Sequence, residues 1–144
     1  MNFYQPDKQF YCGVDLHART IYICIIDQKK KVLMHKQLKN RDTELFLRIL
    51  KPYKDNIVVA AESCFAWYWL ADLCADQHIE FILGHALYMK AIHGGKSKND
   101  RIDSYKIALL ASNGLFPLAY VYPKRKTFIA RFTSSKINFC AYQS

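Results

Sequence analysis

Apolar residues along this chain follow a two-residue period near the start and give way to helical spacing further on. Residues 10–16 (FYCGVDL) and 20–27 (TIYICIID) predict strands. In the second, Ile21, Ile23 and Ile25 alternate with Tyr22, Cys24 and Ile26, so both faces are apolar and β-branched residues dominate, as in a strand covered on both sides. The polar run Asp27-Gln28-Lys29-Lys30 predicts a turn, and residues 31–38 predict a third strand with one wetter face. The three together make an antiparallel meander.

Asp42 or Thr43 can cap a helix whose apolar positions Leu45, Phe46, Ile49 and Leu50 recur at helical spacing, with Pro52 as its stop. Residues 56–61 (NIVVAA) predict a short strand buried on both faces, directly followed by Glu62. A second helix is predicted over 65–77, with Trp67, Leu70, Leu73 and Cys74 on one side, and a fifth strand over 79–83. A short helical stretch over 86–92 leads to the polar hinge Gly94-Gly95-Lys96-Ser97-Lys98. A last helix is predicted from about Asn99 to Ser112, with Asn113-Gly114 as its stop signal. The order βββαβαβα describes an α/β domain over residues 8–123 with a five-stranded mixed sheet covered by helices, the layout of the ribonuclease H-like fold. Residues 124–144 show no clean period and are expected to form a divergent or truncated tail.

Composition agrees with one globular domain: in 144 residues, 51% are hydrophobic and 15% aromatic, enough to build a core. The longest apolar stretch, 107–122, is broken by Ser112-Asn113-Gly114 and Pro117 and falls short of the roughly 18 residues a membrane span needs. Met1–Lys8 lacks the layout of a secretion signal, so a soluble cytoplasmic protein is expected, with no membrane association. The five cysteines, at 12, 24, 64, 74 and 140, include no Cys-x-x-Cys pair, which argues against a zinc site or a disulfide framework.

The charge is unevenly placed. Residues 1–84 carry 11 basic and 10 acidic side chains, a net of +1, whereas residues 85–144 carry 10 basic and 2 acidic, a net of +8. A basic block of this kind favours a polyanion, because each Lys or Arg that meets a phosphate releases condensed counterions. The two acids inside that block, Asp100 and Asp103, are three apart at the start of the last predicted helix. Acids suit a helix N-terminus because of its dipole, and that accounts for either one alone.

Asp15 and Glu62 end two apolar strands, first and fourth in the chain. If those strands are neighbours, the carboxylates converge at one edge of the sheet, where α/β ligand sites form. Four carboxylates brought together need a counter-cation, and oxygen ligands select hard ions, Mg²⁺ above all. Two such ions about 4 Å apart clamp the attacking and leaving oxygens of an in-line phosphoryl displacement. The expected catalytic and metal-ligating set is Asp15, Glu62, Asp100 and Asp103, with Asp15 bridging both ions. Lys96, Lys98 and Arg101 surround the helix aspartates and are expected to hold a phosphodiester backbone. Trp67, Tyr68, Trp69 and Tyr105 are candidates for base stacking, with core packing as the competing role. His17, two residues past Asp15, is a candidate substrate contact, and Cys74 with His78 is at most half a metal site.

Asp15 in GVDLH, Glu62 in AAES, and Asp100 with Asp103 in KSKNDRIDSYKIA resemble the D-E-D-D signature of insertion-sequence transposases with a RuvC-like nuclease domain, the group that includes the Piv-type DNA invertases. The resemblance spans about residues 10–123 and covers only the N-terminal domain of that family. It implies Mg²⁺-dependent DNA strand cleavage and joining in transposition, element ends and target DNA as partners, homo-oligomers, and in some members a guide RNA from the element. It also implies a C-terminal domain with a strand-transfer serine, which this chain is expected to lack. Asn99 before Asp100 and Cys64-Phe65 after Glu62 depart from the usual family pattern. A catalytically inactive nucleic-acid-binding remnant is the alternative. A sugar-kinase-type phosphotransferase shares the element order but needs glycine-rich phosphate loops, and here His17-Ala18-Arg19-Thr20 follows the first strand.

Overall fold

The computed structural model describes residues 2–63, 67–93 and 103–119, the side chain of His93 excepted. Strands β1 (Phe10–Leu16), β2 (Thr20–Asp27) and β3 (Val32–Lys39) form the meander, followed by α1 (Thr43–Leu50) and a 3₁₀ turn, Lys51–Asn56. Strand β4 (Ile57–Glu62), α2 (Tyr68–Asp76), β5 (Glu80–Gly84), α3 (Ala86–His93) and α4 (Ser104–Ser112) complete the order. The sheet runs β3-β2-β1-β4-β5, with the meander antiparallel and β1, β4 and β5 parallel to one another. The expected five-stranded mixed sheet is therefore present, with β1 at its centre.

Alternation along each strand sends side chains to two separate cores. On one face Cys12, Val14, Ile21, Ile23, Ile25, Val59 and Ala61 pack under Phe46 and Leu50 of α1 and Leu70 and Cys74 of α2. On the other, Tyr11, Cys24, Ile26, Val58 and Ala60 pack under Met89 of α3 and Ile107, Ala108 and Ala111 of α4. Both cores need apolar residues from β1, β2 and β4, which is why those strands read as unbroken hydrophobic runs.

Turn chemistry links these elements. Asp27 Oδ1 accepts from the backbone N–H groups of Lys29 and Lys31, both at 2.9 Å, while Lys30 takes φ +69° at the tip of the β2–β3 turn. Asp42 is the cap of α1, its Oδ1 accepting from Leu45 N at 3.2 Å. Pro52 does not stop the chain from coiling: it sits in the first turn of the 3₁₀ segment, where its missing N–H costs nothing.

Two element ends differ from those expected. Strand β1 keeps its expected bounds, with Asp15 its penultimate residue, while Glu62 is the last residue of β4 rather than the residue after it. The final helix starts at Ser104, and Asp103 is its N-cap instead of a member of its first turn. Capping is the local alternative that a short carboxylate offers, and it places the boundary at Asp103. Beyond α4, the chain returns to the sheet: Leu118 bridges Gly84 and Pro117 bridges Phe3. Among the described residues no helix is long and apolar enough to cross a membrane.

Candidate active site

Adjacent parallel strands bring Asp15 and Glu62 to the same edge. The β1–β4 register pairs Val14 with Ala61, so the next residue on each strand is one of the two acids. By the same alternation both belong to the face that α3 and α4 cover, since Tyr11 and Gly13 precede Asp15, and Val58 and Ala60 precede Glu62, on that side. Asp15 is 8% exposed. Burial, and next the charge of Asp15, push the Glu62 carboxyl up to about 7, against a smaller opposing effect from Lys90 on α3.

Helix α4 reaches this edge because Gly13 lets it. A Cβ at position 13 would fall on the carbonyl oxygen of Ser104 and come within 2.6 Å of Ala108 N. The helix backbone therefore lies directly on β1, two residues before Asp15. Asp103 caps the start of α4, with Oδ1 accepting from Lys106 N at 3.0 Å. Burial, and then the charge of Asp103, raise the Cys24 thiol to about 11. Cys24 is paired with Gly13 across β1 and β2, which sets Asp103 over the same stretch of sheet.

His17 joins the acidic pair directly. Its Nε2 lies 3.0 Å from Asp15 Oδ2, and its ring meets the Tyr22 ring edge-on at 5.7 Å between centroids. Tyr22 is the β2 residue opposite Asp15.

Of the predicted site residues, Asp15 and Glu62 are thus neighbours, and Asp103 caps the helix that packs on β1. Asp100, Lys96, Lys98 and Arg101 lie outside the described residues, as do Cys64, Cys140 and the 124–144 tail. Among the described residues no group of three or more His, Cys, Asp or Glu side chains is assembled to hold a metal ion. The aromatic candidates are occupied elsewhere. Trp67 and Trp69 pack on the α1–α2 core and Tyr105 on the α3–α4 core, while the Tyr68 hydroxyl accepts from Arg41 Nη2 at 3.0 Å. His85, to which the sequence pattern assigns no role, follows β5 at this same edge of the sheet, its ring against Tyr88 at 4.6 Å.

A family model, DEDD_Tnp_IS110, described as a transposase, matches residues 12–130. The chain belongs to this transposase family. Its fold is similar to that of RuvC from T. thermophilus, solved in complex with a Holliday junction substrate, at a TM-score of 0.51 and 12% identity over 87% of this chain and 97% of that one. That similarity identifies the transposase domain as ribonuclease H-like, as its element order implied. The large terminase nuclease of the thermophilic phage G20c, solved with bound zinc, aligns with a TM-score of 0.45 and 15% identity over 79% of this chain and 65% of that one. No curated protein matches the chain.

Proposed function

We propose that this transposase domain cleaves and joins DNA strands with a divalent cation, Mg²⁺ by preference, held at Asp15 and Glu62. The observation that carries the reading is the pair of carboxylates on neighbouring parallel strands, with Glu62 raised to about 7 by burial and by Asp15. A carboxylate pair that is costly to ionise fully is a fitting donor set for a hard cation, whose charge offsets the repulsion. Asp103 and Asp100 are the proposed remaining ligands; Asp103 would reach the ion from the start of α4.

Bound there, Mg²⁺ supplies activation of water or a 3′-hydroxyl and neutralises the departing oxyanion. The residues do the rest. Asp15 and Glu62 present oxygens from rigid strand ends, so little conformational freedom is lost on binding. Glu62 must give up its proton to act as a ligand, so cation capture strengthens as pH rises through about 7. Lys96, Lys98 and Arg101 are proposed to grip the phosphodiester backbone. Self-association and a guide RNA rest on the family resemblance alone.

RuvC was solved on a Holliday junction, and branched DNA is the substrate class to test first. Mg²⁺-dependent nicking of a four-way junction by the chain, lost in Asp15→Asn and in Glu62→Gln, is the expected result. Nicking that is unchanged in both variants overturns the assignment. DNA binding with no cleavage under any divalent ion supports the inactive nucleic-acid-binding remnant instead.

A further inference from the structure

The Asp15–His17 contact lies outside the proposed metal ligation, and it has the form of a device that orients a ligand. With Asp15 ionised, its carboxylate only accepts hydrogen bonds, which assigns the hydrogen between Nε2 and Oδ2, 3.0 Å apart, to the imidazole. The residue is anchored at its backbone and at its ring. The backbone N–H of His17 donates to Thr20 O at 3.0 Å, closing the β1–β2 connection, and the ring packs in an edge-to-face arrangement with Tyr22, the residue paired with Asp15. Side chains two apart on an extended segment share a face, so an Asp-x-His triplet leaving a strand can form this bond without distortion.

The terminal torsion of an aspartate is broad and roughly two-fold, so the strand alone does not fix the plane of the carboxylate. A hydrogen bond from an anchored ring does fix it. Ligating carboxylates are commonly held in this way by groups outside the coordination sphere, and loss of such a partner weakens metal binding about 10–100-fold.

We propose that His17 is a positioning residue, whose Nε2–H fixes the plane of the Asp15 carboxylate for the cation. This rests on the assignment of Asp15 as a ligand. His17→Phe keeps a ring against Tyr22 but removes the donor, whereas His17→Gln keeps a donor without the ring. Mn²⁺ affinity, measured by calorimetry on the whole chain, is expected to fall about 10-fold in His17→Phe and to recover to within about 3-fold of wild type in His17→Gln. Independently of any metal, the imidazole Nε2–H of His17 is expected to give a protected NMR signal in the wild-type chain that disappears in Asp15→Ala. Wild-type or tighter Mn²⁺ affinity in His17→Phe overturns the positioning role and leaves the proposed function standing. Absence of Mn²⁺ binding in the wild-type chain overturns both. If His17→Phe does not melt cooperatively, the NMR comparison decides, and an Nε2–H signal unaffected by Asp15→Ala overturns the role.

Discussion

The carbonyl of Ser104 rests on the Cα of Gly13, with no room between them for a side chain. This contact sets how closely α4 lies on β1 and how near its first residues come to the acidic edge. Gly13→Ala is expected to lift or tilt α4, because both partners are backbone and neither can rotate away. Overpacking of this kind costs about 1–3 kcal/mol. Thermal unfolding should show a clear loss, and any Mg²⁺-dependent nicking should fall with it because Asp103 moves.

Two roles of Asp103 separate by substitution. Its Oδ1 caps α4 through Lys106 N, and asparagine caps about as well as aspartate. Asp103→Ala is expected to lose about 1 kcal/mol in denaturant titration, and Asp103→Asn a few tenths at most. Both are expected to abolish nicking. Full activity in Asp103→Asn would confine this residue to capping.

Glu62 makes stability depend on pH in an unusual direction for a carboxylate. Its folded value, about 7, lies above the ordinary 4.5, so between those values the folded chain holds a proton that the unfolded chain has lost. Its contribution is therefore fully present below about pH 4.5, declines as pH rises, and is flat above about 7. Glu62→Gln removes the titration. Without divalent ions, its melting temperature is expected to match wild type near pH 4.5 and exceed it at pH 8 by several degrees, for a difference on the order of 2 kcal/mol.

At the end of α2, His78 adopts φ +59° and Ile79 N donates to Cys74 O at 2.8 Å. This is a left-handed helix stop filled by a residue with a Cβ. The four-residue spacing from Cys74 thus reflects a helix ending, with Cys74 buried in the core. His78→Gly is expected to raise stability by about 0.5–1 kcal/mol, measured by denaturant midpoint.

The element order and the pairing of β1 with β4 were legible because β1, β2 and β4 each feed two cores and carry long apolar runs. The juxtaposition of Asp15 and Glu62 followed from that pairing. The true start of α4 was not legible, since Asp100 and Asp103 both suit a helix N-terminus and only geometry shows which one caps. Nor was the Gly13 contact, because one glycine in a strand has no pattern that announces a helix above it. The return of residues 117–118 to the sheet has no sequence signal, because Pro117 interrupts any strand-like period. The two-residue spacing of His17 from Asp15 is plain in the sequence, but the bond between them depends on the folded geometry of the β1–β2 connection.

The proposed function requires that Asp15 and Glu62 share one pocket that takes up a divalent cation. The most direct measurement is a pH titration of the Glu62 side-chain carboxyl by carbon NMR, with and without Mg²⁺. The expected midpoint is near 7 in the metal-free chain, lowered in Asp15→Asn and lowered by about a unit or more at saturating Mg²⁺. A midpoint near 4.5 that neither Mg²⁺ nor Asp15→Asn moves would contradict it.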